Sequence, residues 1–439
     1  MKSDDRDQGL VRVVGPLALA ASMVSMVIGA GIFVSPAPLS AAMGSLAPLA
    51  VLACAVAIGA VVICVAEAGS RVASSGGLYA CIERAFGPAA GYVGGLLLLI
   101  SNVLACAAVS AAFGDTLAAL VPEPARALAR ALVVVAVVSA VCAINIASLA
   151  RGMQLVAGTT ALKLAPLALF VLVGALAVDS RNFHHPALSA PDVGRALLFA
   201  FFSFQGFETA LCACGEVREP ARTIPRALFP AIAIVTLVYT TIQLVAQGLL
   251  GDALGHSRVP LADAMGGIHP ALRLLMLAGA AVSMFGWLTA DILCSPRILF
   301  AFARDGVLPA LLGRLTATGH TPHWSIVTYG ALAVALALSG TYTELAPLAT
   351  LVLAALYVGA CAAAWQLTRR GIAEAGAPLG FRRIGVAAAV GIGSMLALIA
   401  LGTRKEILGL TLCIAASLIA HLVQTGLASR LGAVRPRNS

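Results

Sequence analysis

Three charged residues lie deep inside apolar stretches of the chain and are the first candidates for chemistry. They are Lys163, Glu208 and Asp291. A charged side chain at the centre of a membrane helix costs about 2.5–3.5 kcal/mol on insertion scales, so such residues are rare and are functional candidates by default. An ammonium group can take the place of a monovalent cation, and a carboxylate can bind a protonated amine. These residue types therefore point to ion coupling and to the recognition of small charged solutes.

Each of the three residues also has a structural interpretation. Lys163 can be held by a backbone carbonyl or a carboxylate, or can extend its stem toward the membrane surface. Glu208 can bridge to the first helix instead of binding a solute. Asp291 and Trp287 are four residues apart, so a helix would place them on one face. If that face lines a cavity, a second acid near Glu208 would favour solutes with an extra amine. If it meets a neighbouring helix, Asp291 would satisfy backbone or lysine donors there.

The elements that must position these residues are membrane helices. Hydrophobic residues make up 60% of the 439 positions and charged residues 11%, against about 45–50% and about 25% in soluble domains. The apolar blocks are long enough to cross a bilayer as helices, and no alternating segments typical of barrel strands occur. A bilayer-length window predicts twelve spans at 14–43, 46–69, 88–113, 127–148, 155–178, 193–214, 227–250, 270–300, 323–340, 345–367, 383–401 and 404–428.

The 28 lysine and arginine residues are distributed unevenly between the two sides of the predicted membrane. With the N-terminus inside, most of them fall on the cytoplasmic side, which is the bias of membrane proteins in general. The basic charge is thus a topology signal, and it excludes a nucleic-acid partner. We expect a multi-pass protein of a bacterial-type inner membrane, surrounded by membrane lipids, with both termini in the cytoplasm.

Two of the predicted spans contain breaks near their centres. The first carries Gly29-Ala30-Gly31 and is followed by Pro36, and the sixth carries a glycine at 206 among polar residues. Small residues can serve close helix packing alone. Paired breaks five spans apart, however, are typical of inverted-repeat transporters, in which broken helices bind the solute. The exposed amides and the positive end of a half-helix suit a carboxylate group.

At this point four segments of the chain resemble the amino acid–polyamine–organocation (APC) superfamily of transporters. Their order and spacing over roughly residues 14–325 carry the resemblance, together with the number of spans. The segments are Gly29-Ala30-Gly31-Ile32-Phe33; Glu67-Ala68-Gly69-Ser70-Arg71 through Ser75-Gly76-Gly77-Leu78-Tyr79 to Ala85-Phe86-Gly87-Pro88; Gly206-Phe207-Glu208 through Gly215-Glu216-Val217-Arg218-Glu219-Pro220 to Ile224-Pro225-Arg226; and Ser295-Pro296-Arg297 through Ala303-Arg304-Asp305-Gly306-Val307-Leu308-Pro309.

The resemblance implies an all-α membrane protein of about twelve transmembrane helices with the leucine-transporter-type inverted repeat of five plus five helices. Two further helices would follow at the C-terminal end. In this chain the implied regions are a cytoplasmic tail at 1–13, a first repeat at 14–178, a second repeat at 193–367, the two added helices at 383–428 and a cytoplasmic tail at 429–439.

The resemblance also implies a set of site residues. The substrate carboxylate would bind amides near Ala30–Ile32, and its amine would bind carbonyls near Phe202–Phe204. Lys163 resembles the lysine that replaces a sodium ion in proton-coupled relatives, near the first and eighth helices. The implied substrate-binding set is Met26, Gly29, Ala30, Gly31, Ile32, Asn102, Phe202, Ser203, Phe204, Gly206, Glu208 and Asp291. Asn102 has helix association as its alternative role, and Phe202 has simple packing.

The resulting hypothesis is a proton-coupled amino-acid importer that works by alternating access. An amino acid or amine exchanger is the alternative, and a non-transporting membrane sensor or channel is a third possibility. The chain lacks the phosphate-binding loop of nucleotide hydrolases, and its ten cysteines show no zinc spacing. We therefore expect no enzyme activity, no cofactor and no metal. The side-chain class of the substrate, the direction of transport and the oligomeric state stay open.

Overall fold

The structure is a computed structural model, and it describes residues 15–72, 77–147, 149–183, 189–210, 217–304, 308–316, 321–374 and 376–430. The expected tails at 1–13 and 429–439 lie outside these residues, except for 429 and 430, which end the last helix. Parts of the motifs named above, at 75–76, 215–216 and 305–307, also lie outside them.

Within the described residues the long regular elements are α-helices, as the apolar blocks predict. They are α1 Pro16–Val27, α2 Gly31–Val34, α3 Pro36–Met43, α4 Ala47–Arg71, α5 Leu78–Phe86, α6 Pro88–Ala118, α7 Arg126–Ala147, α8 Leu149–Gly174, α9 Ala190–Ser203, α10 Phe207–Ala210, α11 Pro220–Leu250, α12 Pro260–Gly266, α13 Pro270–Cys294, α14 Pro296–Arg304, α15 His323–Ser339, α16 Tyr342–Arg369, α17 Ile384–Ala400 and α18 Arg404–Arg430. The all-α class is confirmed.

Seven helical segments of the described chain are long and apolar enough to cross a membrane. They are Pro36–Arg71, Pro88–Ala118, Arg126–Ala147, Pro220–His256, Pro270–Arg304, Tyr342–Arg369 and Arg404–Leu422. Four shorter apolar helices accompany them, at Pro16–Val27, Leu162–Ala177, His323–Ser339 and Ile384–Ala400. The chain is therefore a multi-pass membrane protein, and the count of twelve spans stays a prediction.

The first, sixth and eighth predicted spans are not continuous helices. The first consists of α1, α2 and α3, because the chain leaves the helical conformation at Ile28 and a proline begins α3. The sixth consists of α9 and α10, separated at residues 204–206. The eighth ends at Cys294, and the amphipathic α14 follows it behind Pro296. Proline lacks an amide hydrogen, so it starts a helix more easily than it continues one.

The helices form two packed groups around the broken ones. In one group α11 packs along α4 and α1, while α1 also contacts α10 and α4 contacts α9. In the other group the largely buried α6 packs against α16, α7, α15 and α13. Helix α8 packs along α13. This arrangement brings Lys163 of α8 to the break between α1 and α2.

The segment after α16 folds back onto one end of α4. Arg71 and Glu67 form a buried ion pair of 2.7 Å one helical turn apart. The guanidinium of Arg71 also donates to the carbonyl of Ile372, and the second carboxylate oxygen of Glu67 accepts from the amide of Phe381, both at 3.0 Å. The ion pair therefore fastens the chain between α16 and α17 to α4.

Candidate functional site

Lys163 reaches the break in the first span. Its Nζ donates to the carbonyl oxygen of Ser25, to the hydroxyl of Ser25 at 3.0 Å and to the carbonyl oxygen of Ile28 at 2.8 Å. Its side chain is buried. All three acceptors lie where α1 stops, so an ammonium group occupies a position that three oxygens of the broken helix define. Oxygen ligands of this kind suit a small monovalent cation.

The carbonyl oxygens of Met26, Val27 and Gly29 accept hydrogen bonds from side chains of other helices. Three donors, from α11 and α13, account for them. They are the indole Nε1 of Trp287 on Met26 at 2.8 Å, the hydroxyl of Tyr239 on Val27 at 2.9 Å and the hydroxyl of Ser283 on Gly29 at 3.1 Å. A broken membrane helix needs such partners, because an unpaired carbonyl in an apolar interior is costly. The break is thus a built feature of the fold.

The amide groups that follow the break point to a different chemistry. The amide nitrogens of Ala30, Gly31 and Ile32 donate no hydrogen bond to any described residue. They belong to the first turn of α2, where backbone donors are unsatisfied and the local field is positive. Three adjacent free donors are chemically suited to an anionic group such as a carboxylate.

The break in the sixth span lies directly against the first. Gly206 has a φ of +121°, and a Cβ atom built on it would lie 2.5 Å from the carbonyl oxygen of Met26. A Cβ atom on Gly31 would lie 2.9 Å from the Cα atom of Ser203. Only glycine allows the two backbones to approach this closely. The sequence-predicted residues of the two breaks are therefore brought together.

The space between the two breaks is closed in this structure. A cavity of about 20 Å³ remains beside Gly31, Ser203 and Tyr239, which is room for a water molecule and not for an amino acid. The hydroxyl of Ser203 donates to Ser35 at 2.8 Å. The carbonyls of Ser203 and Phe204 accept no hydrogen bond from a described residue. The free acceptors and the free amides thus lie at the two breaks, next to a space that is too small for a solute in this structure.

Phe202 packs beside this closed site. Its ring meets the ring of Tyr342 edge-on, with 5.5 Å between centroids, and the Tyr342 hydroxyl lies 2.8 Å from the hydroxyl of Ser35. Met26 is buried in the same region and contributes its carbonyl oxygen to Trp287. In this structure Phe202 therefore packs against another aromatic ring, which is the alternative to substrate binding considered for it above.

Glu208 fixes the backbone of the sixth-span break. Its two carboxylate oxygens accept from the amide of Gly206 at 2.9 and 3.0 Å, and Oε2 also accepts from the hydroxyl of Tyr357 at 2.7 Å. The ring of Tyr357 stacks on Phe207. These contacts tie α10 to α16, so the shape of the break depends on a buried carboxylate.

Asp291 lies in a polar network between three helices. Its oxygens accept from Tyr329 at 2.6 Å and from Ser295 at 2.7 Å, and Asn102 donates to Ser295 at 2.9 Å. Trp287 instead bonds the first helix. The two residues expected on one face therefore have different partner helices, because one helical turn separates them. Asp291 thus binds hydroxyl groups and not the backbone or lysine donors named above, while Asn102 links α6 to Ser295.

Several functional neighbours were not singled out from the sequence. They are Tyr239, Ser283, Tyr329 and Tyr357, all buried and all donating to the broken helices or to the internal acids. Each is a polar residue inside an apolar block, which is the one signal that could have found them.

A buried lysine against a broken helix in a multi-pass helical protein is typical of membrane transport proteins. The sequence model of the amino acid permease family matches residues 14–407, which is most of the chain. The chain belongs to this family, within the APC superfamily that its motifs resemble.

Curated relatives agree with this assignment. The chain is 28% identical to the serine/threonine exchanger SteT of Bacillus subtilis, over 84% of this chain and 86% of the relative. It is 31% identical to an uncharacterized transporter of Mycobacterium tuberculosis, over 76% of each chain. It is 25% identical to the methylthioribose transporter of Bacillus subtilis, over 77% of each chain. These relatives carry transporter or exchanger names, which agrees with a transporter and not an enzyme.

Proposed function

We propose that this protein is a secondary active transporter that takes up amino acids together with protons by alternating access. The family match supports an amino acid as the substrate. The relative named for serine and threonine makes these two amino acids the first to test. The transporter would lie in a bacterial-type inner membrane with both termini in the cytoplasm, in keeping with the distribution of basic residues.

The proposed architecture is two inverted repeats of five helices at 14–178 and 193–367, followed by two helices at 383–428. The break between α1 and α2 in the first repeat and the break between α9 and α10 in the second support it, since they occupy corresponding places. Counting each broken span once gives the twelve spans of this proposal. The two packed groups of helices would then move relative to each other to open either side.

The proposed substrate site lies between the two breaks. The substrate carboxylate binds the free amides of Ala30, Gly31 and Ile32, and the amine binds the free carbonyls of Ser203 and Phe204. Glycines at 31 and 206 permit the close approach of the two breaks, and Gly29 makes room for Trp287. Met26, Asn102, Phe202, Glu208 and Asp291 complete the proposed set, with Asn102 and the two acids acting through the contacts that hold the helices around the site. Opposite partial charges at the two breaks fit the two charged groups of an amino acid.

The observation that carries the coupling proposal is the position of Lys163. Its ammonium group bonds three oxygens of the broken first helix. Loss of its proton would remove the positive charge that faces these oxygens and weaken the link between α8 and α1. A balance between outward-open and inward-open states that depends on this link would then depend on the proton.

The experiment compares Lys163→Gln with the parent in proteoliposomes under an imposed inward pH gradient. Glutamine keeps a comparable length and can donate hydrogen bonds, but it cannot titrate. We expect the variant to bind serine or threonine and to lose accumulation driven by the gradient. The matched control is Lys405→Gln, because Lys405 is exposed at the start of α18. Accumulation by Lys163→Gln as steep as that of the parent would leave the lysine a purely structural role.

An exchanger is the second candidate, and one observation favours it. The Bacillus subtilis relative that aligns with 84% of this chain is named an exchanger. An exchanger requires substrate inside the vesicle and ignores the pH gradient, whereas a proton-coupled importer accumulates substrate into empty vesicles. Preloading the same proteoliposomes with unlabelled serine or threonine separates these two functions in one measurement.

A further inference from the structure

A charged cavity of about 470 Å³ lies at one end of the bundle, where α6 ends and α7 and α13 begin. Four arginines and three acidic residues line it. Its volume falls within the range of small-molecule sites, about 300–1,000 Å³. The cavity is separate from the closed space between the helix breaks, whose lining residues it does not share.

Three of the four arginines already have a carboxylate partner. The pairs are Arg130 with Asp115 at 3.0 Å, Arg126 with Glu123 at 3.1 Å and Arg273 with Asp263 at 3.3 Å. Arg130 also donates to two carbonyl oxygens at the end of α15, which fixes its guanidinium. These arginines build the wall of the cavity and leave little charge for a ligand.

Arg258 is the exception. Among the described residues no carboxylate lies within 4.0 Å of its guanidinium, and its side chain is exposed to the cavity. Arg258 acts on Asp115 only at longer range, and Asp115 is already bonded to Arg130. Four arginines against three carboxylates give the cavity a net positive charge. A guanidinium group pairs with a carboxylate through two parallel hydrogen bonds, so its natural ligand is a small carboxylate.

The cavity also lies close to α2. A second space of about 10 Å³, room for one water molecule, is lined by Arg258 and Val259 of the cavity and by Phe33 and Val34. The last two residues belong to α2 and directly follow the free amides of Ala30, Gly31 and Ile32. Arg258 and the proposed carboxylate site are thus neighbours, and the space between them is too narrow for a solute in this structure.

We propose that Arg258 captures the carboxylate group of an incoming amino acid and passes it to the amides of α2. The inference rests on the proposed function, because it assigns an entry step to the same transported substrate. Serine and threonine carry no net charge at neutral pH, so the capture acts at short range, through the pair of guanidinium and carboxylate groups, and salt weakens such an exposed pair. The capture step therefore has a signature in the apparent affinity and in its dependence on ionic strength.

The test measures serine and threonine uptake by the parent and by Arg258→Gln in proteoliposomes at low and at high ionic strength. We expect KM to rise about three- to tenfold at low ionic strength with kcat unchanged, and the difference to shrink at high ionic strength. Arg258→Lys keeps the charge and recovers part of the loss. The control is Arg404→Gln, since Arg404 is exposed at the start of α18 and outside the cavity.

A KM of Arg258→Gln equal to that of the parent at low ionic strength overturns the capture role. A second outcome also overturns it. If the rise in KM disappears when a bulky sulfonate replaces chloride at constant ionic strength, the occupant of the cavity is an inorganic anion. If the parent takes up neither amino acid nor any other, the proposed function fails and the inference fails with it. If the parent takes up the amino acids normally and Arg258→Gln has the same KM, only the inference about Arg258 fails and the proposed function stands.

Discussion

Replacing Gly206 by alanine tests the contact between the two helix breaks. The Cβ atom would lie 2.5 Å from the carbonyl oxygen and 2.8 Å from the carbonyl carbon of Met26. Both are backbone atoms, so no side-chain rotation can relieve the clash. Ordinary contact needs at least 3.4 Å, and the two backbones would have to separate by about 0.9 Å. The substitution therefore acts on the closed state, in which the breaks touch.

Two costs set the magnitude. The φ of +121° at Gly206 is a conformation that residues with a Cβ atom rarely adopt, and holding one there costs about 1–3 kcal/mol. Overpacking against a rigid neighbour adds about 1–3 kcal/mol. Even the smallest sum, about 2 kcal/mol, lowers the equilibrium constant for closure about thirtyfold. Because the proposed alternating access passes through the closed state, we expect uptake to fall by up to about that factor.

The assay is initial-rate uptake in proteoliposomes, with the melting temperature and the size-exclusion profile of the purified protein measured in parallel. Gly393→Ala is the matched control, since Gly393 lies in α17 and a Cβ atom there meets no atom within 4 Å. Alanine is favoured over glycine in helices by about 1 kcal/mol, so this variant should transport normally and melt no lower than the parent. Parent-like uptake by Gly206→Ala would refute the reasoning.

Three further changes give distinct outcomes. Gly31→Val should abolish uptake with expression retained, since its Cβ atom would lie 2.9 Å from the backbone of α9; uptake like that of the parent would contradict the close contact. Asp291→Asn should weaken neutral and cationic ligands equally in a thermal-shift assay, because protein donors occupy both carboxylate oxygens; a tenfold loss confined to cationic ligands would place the carboxylate in the substrate cavity. Glu67→Gln should lower stability by about 3–5 kcal/mol, measured as reduced melting temperature and expression, because it leaves Arg71 buried without its partner; an unchanged melting temperature would contradict this.

The helices and their breaks could be predicted because local sequence determines them. Apolar length predicts membrane helices, and most of the expected ends agree with the structure within a few residues. The glycines at 29, 31 and 206 predicted the places where two helices stop, since glycine is weak in helices and allows backbones to meet. The resemblance implied that Lys163 lies near the first helix, and its Nζ contacts that helix.

The partners of the broken helices could not be predicted in the same way. Tyr239 and Trp287 lie more than two hundred residues from the carbonyls that they bind. Their hydrogen bonds depend on the packing of α11 and α13 against α1, which no local pattern specifies. The closed state of the site is likewise a property of the whole bundle. The charged cavity around Arg258 gathers residues from four separate segments and had no signal in the sequence.

If Lys163 carries the coupling proton as proposed, the carbonyl oxygens at the first break supply a physical route from its charge to the first helix. Five consecutive residues, 25–29, present carbonyls to side chains of other helices, and Lys163 holds two of them while uncharged donors hold the rest. Removing the charge of Lys163 would loosen the grip of α8 and leave the donors of α11 and α13 in place. The contact of α1 with α8 would then weaken, while its hydrogen bonds with α11 and α13 would remain. In the proposed mechanism the remaining donors keep these carbonyls paired, so α1 can rotate without exposing them, which is the kind of movement that alternating access requires.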